Sequence, residues 1–221
     1  MSGQGSRRAH REPLSRDRVI AAAMTLADEK GEAGATMRAI AGRLGVEAMS
    51  LYNHVAGRDG ILDGMVDAVF GEIDLPAPGA DWKQAMRERA ASTRAALGRH
   101  RWAVGLLDSR SHPGPATLSH HDAVLGVLRA AGFSVAMAAH AFSVIDSYVY
   151  GFVLQELSLP FTNRAELDDV AADILHAAPT DAYPHLSELI TDHALRPDYT
   201  YADEFDFGLT LILDALHPDE V

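Results

Sequence analysis

Residues 45–55 read GVEAMSLYNHV and mix two kinds of side chain. Val46, Leu51 and Val55 are spaced as the apolar back of a short helix, while Ser50, Tyr52, Asn53 and His54 each donate or accept hydrogen bonds. Such a division makes no covalent bond; it suits binding to a partner that presents hydrogen-bonding edges. Bond-making chemistry has little support elsewhere. Eleven histidines invite a metal centre, but His120 and His121 are neighbours and would point about 100° apart on a helix. No two histidines are four residues apart and no His-Glu-x-x-His pattern occurs, so neither a metal nor a cofactor is expected. There is no nucleophile elbow and no phosphate-binding loop, and the absence of cysteine excludes thiol chemistry and disulfides. Carboxylates are plentiful, and most read as a solvated surface.

The charge distribution narrows the partners. Over 221 residues the net charge is −12, yet residues 1–63 hold nine Arg/Lys against eight Asp/Glu, and residues 64–221 hold ten against twenty-three. The acidic part repels a polyphosphate; the first sixty residues do not. The longest apolar run, over 136–157, is broken by His140 and Asp146, so no membrane partner is expected. The opening MSGQGSRRAHREPLSR is basic without an apolar stretch, which reads as a flexible arm over residues 1–14 rather than a secretory signal. Together with the missing cysteines this suits the cytoplasm.

Helical periodicity runs through the rest of the chain, and alternating β-rich segments are lacking, so the fold class is all-α. Ser15 caps a helix ending near Lys30, and Thr36 caps a short second helix with Met37, Ile40, Ala41 and Leu44 inward. Gly45 turns the chain into a third short helix, and a fourth runs over 57–73. Further helices are expected over 81–99, 102–109, 115–131, 134–157, 164–177, 183–195 and 201–216, separated by SHPGP, AGFS, SLPFTN, AAPTDAYP and RPDYT.

Two short helices joined by a glycine turn, the second displaying polar groups, form a helix-turn-helix whose recognition helix fits the major groove of DNA. Ala48, Met49, Ser50 and Asn53 form the base-reading front: Asn53 suits an adenine edge, and the small or apolar side chains suit thymine methyls. Tyr52, His54 and Arg58 suit phosphates, which set register rather than sequence. Arg38, at the start of the second helix, is placed to reach the backbone or a base. The bland alternatives stand beside this reading: a surface histidine, a half-buried tyrosine, an ordinary amphipathic turn.

The order of residues in TMRAIAGRLGVEAMSLYNHVAGRDGILDGM resembles the DNA-binding domain of the tetracycline-repressor (TetR) family, in its Thr-x-Arg start, LGV turn, Leu-Tyr-x-His-Val core and basic Arg58. The resemblance implies that Arg38, Ala48, Met49, Ser50, Tyr52, Asn53, His54 and Arg58 face DNA. The family's namesake has Gln-Pro-Thr where this chain has Ala48-Met49-Ser50, and Trp in place of Asn53. The phosphate-facing residues match and the base readers differ, which implies the same docking on another operator. The division implied is an N-terminal three-helix DNA-binding domain over 15–63 and a C-terminal helical ligand-binding and dimerisation domain over 64–221.

A single recognition helix covers few base pairs, so such proteins pair to read two half-sites of a palindrome. Apolar residues at helical spacing over 135–157 and 205–216 supply surface for a homodimer or for plain core. FDFGLTLILDAL resembles the second helix of the family's dimerisation bundle. The resemblance also implies an effector cavity, with Met86, Arg89, Thr93, Trp102, His121, Val124, Leu128, Phe142 and Asp146 as candidate lining. Asp146 and His121 are polar on apolar stripes, hence either paired in the core or facing a cavity. The family's drug-chelating positions correspond here to Asp74, Leu106 or Leu107, Arg89 and Val124, so the chelating set is missing and a different small molecule is expected. The function expected is a small-molecule-released repressor that binds a double-stranded operator as a homodimer, and not an enzyme. The rivals are an activator or a regulator without a ligand, and a helical enzyme with a vestigial N-terminal domain.

Overall fold

The computed structural model describes residues 13–219 except 108 and 179. The arm expected over 1–14 lies, up to residue 12, outside the described residues. Among those residues the chain is helical throughout, without a strand.

The N-terminal helices begin where the caps lie. Ser15 accepts the Arg18 N–H at 3.3 Å and opens α1 (Arg16–Lys30), which buries Val19, Ile20, Ala23, Leu26 and Ala27. Thr36 accepts the Ala39 N–H at 3.2 Å and opens α2 (Met37–Leu44). Gly45 ends α2 with φ +66°, a left-handed angle that strains a residue with a side chain. The Val46 N–H closes this cap on the Ala41 carbonyl at 3.0 Å. The next helix, α3 (Ala48–Leu51), is a single turn. Beyond it the chain tightens into three-residue bonds, Tyr52 to Met49 at 3.3 Å and His54 to Leu51 at 2.9 Å. With so little helix, α3 is held by side chains: Leu51 has no exposed surface and Val55 little. Burying Leu51 contributes about 2 kcal/mol.

Helix α4 (Gly57–Phe70) belongs to two cores. Ile61, Leu62 and Met65 pack with α1 and α3, whereas Val66, Val69 and Phe70 pack with Leu97, Leu107 and Val153. It stops three residues short of the expected 73, because the Glu72 and Ile73 N–H groups bond only three residues back, to Val69 and Phe70.

The C-terminal part comprises α5 (Trp82–Arg99), α6 (Pro115–Ala130), α7 (Val135–Ser158), α8 (Arg164–Ala177), α9 (Pro184–Leu189) and α10 (Tyr201–Ala215). Helices α5, α6, α7 and α10 share one core around Met86, Val124, Leu128, Ile145, Phe205 and Leu209. By length and composition α7 passes as a membrane span, a possibility its His140 and Asp146 had argued against. Its inner face packs on α5, α6 and α10, as a core helix does. Helices α8 and α9 bury little, chiefly Ala171 and Ser187.

Two expected helices take other forms. Over 102–109 there is a 3₁₀ turn, Arg101–Ala103, followed by turns: Gly105 weakens an α-helix there, and Leu106 and Ser109 bond three residues back. Over 183–195, α9 widens at Ile190–Ala194 into a π-turn closed by Leu195 N–H on the Ile190 carbonyl at 2.9 Å. The wide turn brings His193 to 2.8 Å from Glu204 of α10.

Candidate DNA interface and buried polar cluster

The residues expected to face DNA lie at or near the surface of α2, α3 and the turn before α4. Met49 is 74% exposed and Tyr52 53%; Arg38, Asn53 and Arg58 are also exposed, and Ala48, Ser50 and His54 are half-buried. Leu51 and Val55 face inward, so the apolar back and polar front are separated in space as they are in the sequence. Arg38 pairs with no carboxylate among the described residues and is ready for an anion. Arg58 instead forms an ion pair with Glu32, so contact with a phosphate requires it to exchange one anion for another. Arg43 is likewise held, 2.6 Å from Glu29.

Most of the expected effector-lining residues converge inside the C-terminal core. Arg89 of α5 is 2% exposed and reaches both neighbouring helices. Its Nη2 lies 2.5 Å from Asp146 Oδ1 of α7, a charge contact rather than a well-aligned hydrogen bond. Its Nε–H donates to His120 Nε2 of α6 at 3.1 Å. Thr93 donates to the Arg89 carbonyl at 2.8 Å, and Tyr150 donates to Asp146 Oδ2 at 3.3 Å. Phe142 sits 5.3 Å from the guanidinium and 5.0 Å from the His121 ring, whose Nδ1 donates to the Thr117 carbonyl at 2.7 Å. Met86, Val124 and Leu128 complete the apolar surroundings. A buried charge pair costs several kcal/mol in desolvation, offset only by close pairing and further hydrogen bonds, so the cluster is not a cheap way to fill a core.

His120 and Phe70 were not among the expected residues. His120 has no exposed surface, and burial, the Arg89 charge and His121 push it down to about 3, so it is neutral. Its signal was present in the sequence: Thr117, His120, Val124, Val127 and Leu128 follow one helical stripe. Phe70 of α4 lies tilted against both rings, 5.2 Å from His120 and 5.5 Å from His121, which joins the cluster to the helix that also packs on α1 and α3.

Trp102 lies apart. Its indole N–H donates to Asp28 of α1 at 2.6 Å, beside His100, which sits 2.8 Å from Asp28 and 3.0 Å from Glu72. Burial raises the Glu72 carboxyl, but Arg99 and His100 outweigh it and hold Glu72 below its ordinary range. The junction ties α1 to the ends of α4 and α5. A cavity of about 400 Å³ opens there, lined by Asp28, Glu32, Arg99, Arg101 and Trp102. Another of about 470 Å³ lies between the end of α7, the start of α8 and the start of α10, lined by Glu156, Phe161, Asn163, Arg164 and Tyr201. A third of about 270 Å³ adjoins His193, Tyr199 and Glu204. Of the expected effector residues, Trp102 alone touches any of these three. Asp74 and Leu107, at the positions that correspond to a drug-chelating set, stand apart from the cluster: the Asp74 N–H bonds to Ser92, and Leu107 packs in the core around Val69 and Val153. Among the described residues no three His, Asp or Glu side chains gather as metal ligands.

Comparison with known proteins identifies this arrangement. The family model described as bacterial regulatory proteins, tetR family, matches residues 19–65, and the tetracyclin repressor-like C-terminal domain matches residues 75–218. The chain is 33% identical to the HTH-type transcriptional repressor DrrR1 of Streptomyces coeruleorubidus, over 97% of this chain and 82% of that repressor. It is also 33% identical to tetracycline repressor protein class E of Escherichia coli, over 75% of this chain and 79% of the relative. The crystal structure of the TetR family protein ActR from Streptomyces coelicolor in complex with actinorhodin is similar with a TM-score of 0.77 and 26% identity, over 92% of this chain and 95% of that one. An enzyme reading is thereby set aside in favour of a DNA-binding transcription factor. The chain belongs to the TetR family of helix-turn-helix transcriptional regulators.

Proposed function

We propose that the protein is a cytoplasmic repressor that binds a palindromic operator as a homodimer and releases it when a small molecule occupies the C-terminal domain. The observation that carries the reading is the mixed surface of α3: apolar residues anchor a one-turn helix, while Met49, Ser50, Tyr52 and Asn53 lie at its surface. Arg38, Tyr52, His54 and Arg58 supply phosphate contacts, and Ala48, Met49, Ser50 and Asn53 meet base edges. We divide the chain inside α4, with 15–63 binding DNA, 64–221 sensing and dimerising, and 1–14 as an arm. Two half-sites about one helical turn apart require two copies. Phe207 and Leu211 on α10, and Val144 and Leu154 on α7, are exposed apolar residues that suit the second copy rather than a membrane. The effector site is the core around Arg89 and Asp146, with Met86, Thr93, His121, Val124, Leu128 and Phe142; Trp102, bonded to Asp28 of α1, lies apart from it. A small-molecule effector is supported by relatives solved with bound ligands, actinorhodin on ActR and minocycline on an Acinetobacter baumannii TetR variant. Release needs an effector that binds the two conformations with different affinity, and α4 is the element common to both domains.

Selection of bound fragments from random DNA, followed by a screen for molecules that release them, tests the reading. A palindrome should emerge, bound with an affinity that falls as salt rises. Tyr52→Ala should weaken binding to operator and random DNA alike, and Asn53→Ala should chiefly alter the preferred bases. Equal loss on both DNAs for Asn53→Ala removes its role as a base reader. A selected palindrome that no molecule releases leaves a DNA-binding regulator without an effector.

A further inference from the structure

The buried cluster has an imbalance of hydrogen-bonding groups. Arg89 Nε–H donates to His120 Nε2, so that nitrogen carries the lone pair and the ring proton of the neutral imidazole is on Nδ1. His120 Nδ1 is buried and has no hydrogen-bond partner, and the same holds for Arg89 Nη1, while Arg89 Nη2 meets Asp146 Oδ1 only as a charge contact at 2.5 Å. Both groups are donors, so the site holds more donors than acceptors. Buried donors left alone are costly, and a native interior ordinarily supplies them with an acceptor. Charge adds a second constraint. Asp146 sits 2.5 Å from the guanidinium, so the +1 of Arg89 is already matched by a carboxylate. An anion added here would bring a negative charge with no cation of its own into a region that excludes water. The apolar surroundings add a third: the Phe70, His121 and Phe142 rings pack in series, with centroids 5.5 and 5.0 Å apart, and Met86 and Leu128 belong to the same core as Phe142.

We infer that the effector is an aromatic, uncharged molecule whose carbonyl or similar oxygen accepts from Arg89 Nη1 and His120 Nδ1. The inference rests on the effector site proposed above and goes beyond it in naming the ligand's chemistry. Arg89 and His120 supply donors from α5 and α6, and Asp146 keeps the guanidinium matched so that a neutral acceptor is preferred. An oxygen seated there also meets the ring whose centroid lies 5.2 Å from that of Phe70, so occupancy is one contact away from α4.

Three probes of nearly one shape separate the possibilities: the β isomers of acetonaphthone, naphthoate and ethylnaphthalene, titrated calorimetrically into the full-length protein. The ketone should bind about tenfold tighter than the hydrocarbon, as a satisfied hydrogen bond to a charged donor allows, and also tighter than the carboxylate. In His120→Phe the margin of ketone over hydrocarbon should shrink severalfold. In Asp146→Asn the order of ketone and carboxylate should reverse, because Arg89 then lacks its anion. Should Asp146→Asn fail to fold, the ranking on the unaltered protein and on His120→Phe still decides. Equal binding of ketone and hydrocarbon, or tighter binding of naphthoate by the unaltered protein, overturns the inferred chemistry while leaving an effector site. No binding by any probe also overturns it, and the operator-release screen then decides separately whether an effector site exists.

Discussion

Helix α6 begins at Pro115 without a cap of its own: the residue before it is Gly114, which has no side chain to offer. The missing acceptor comes from α4. Asp67 Oδ1 receives the Thr117 N–H at 2.9 Å and the Thr117 hydroxyl at 3.0 Å. The carboxylate fills the space a side chain at 114 would need, since a Cβ there would fall 2.2 Å from Asp67 Cγ. Removing it by Asp67→Ala takes away an N-cap, worth about 1 kcal/mol, and a half-buried hydroxyl bond worth about another 1 kcal/mol. The expected loss is about 2 kcal/mol, or a melting temperature lower by about 4–8 °C in a chain of this size. Thr117→Val keeps the backbone bond and loses the hydroxyl, so it should cost about 1 kcal/mol. The double variant should be no less stable than Asp67→Ala alone, because the hydroxyl then has no partner left to lose. Melts must be compared at one protein concentration, since dimer stability depends on it. An Asp67→Ala protein that melts within a degree of the unaltered chain, or costs that add within about 0.5 kcal/mol, refutes the borrowed cap. In the proposed function Asp67 fixes α6 to α4, so a folded Asp67→Ala protein should still bind operator but need more effector to leave it.

The turn, the ion pair and the buried imidazole give three further tests. Gly45→Ala places a side chain at φ +66° and should cost about 1 kcal/mol in urea unfolding, with operator affinity falling because α3 hangs on that turn. Arg89→Met leaves Asp146 buried without its cation and should cost about 3–5 kcal/mol, while adding Asp146→Leu should restore part of that stability; a double variant less stable than Arg89→Met would mean that contacts of Asp146 other than Arg89, such as Tyr150, outweigh the cost of the unpaired charge. His120 is held at about 3 against an ordinary 6.5, so the unfolded chain takes up its proton first on acidification. The stability this group contributes is complete above about pH 7 and is lost as pH falls from 6.5 toward 3, with a limiting slope of about 1.4 kcal/mol per pH unit. His120→Phe should flatten the difference between urea unfolding at pH 7.5 and at about pH 5; parallel pH profiles for the two proteins contradict a neutral buried imidazole.

How far the sequence speaks depends on the range of the interaction. Helices α1, α2, α5, α7 and α8 start where Ser15, Thr36, Asp81, Ser134 and Asn163 accept an N–H from two or three residues into the helix, a contact contained within four residues of sequence. The segment near Trp102 misled because apolar spacing there serves packing of Leu107 without an α-helix beneath it, and Gly105 left the backbone free to take three-residue bonds. The widened turn at Ile190–Ala194 answers to Glu204, on another helix, and nothing local announces it. The same limit applies to the site. The surface of α3 is local, and its residues stand where their spacing put them. Asp146 is visibly a polar residue on an apolar stripe, but its partner, fifty-seven positions away, follows only from how α5 and α7 cross.

The position of α4 gives the two halves a common mechanical element. Its first half carries Ile61, Leu62 and Met65 in the core that holds Leu51, and its second half carries Phe70 against His120. Along it Asp63 and Asp59 hold Arg110 at 2.7 and 3.2 Å, and Asp67 holds Thr117. One face of the helix is thus tied by charge to the segment leading into α6, while the other is packed on α1. Close-packed cores shift between discrete arrangements more readily than they stretch, so a displacement of the His120 ring is passed along α4 as motion of a rigid rod. A rod moved at its Phe70 end must move Ile61 and Leu62 as well, or break the core around Leu51. Because α3 has one helical turn, anchored by buried Leu51 and Val55 with Val46 and Ala48 packed beside them, it is expected to follow that core rather than resist it. If effector binds at Arg89 and operator at α3, as proposed, the coupling is reciprocal: each weakens binding of the other by one common factor. The common factor, measured by titrating each ligand in the presence and absence of the other, should shrink in Phe70→Leu, in both titrations alike; a factor left unchanged by that substitution would mean that the coupling runs by a route other than α4.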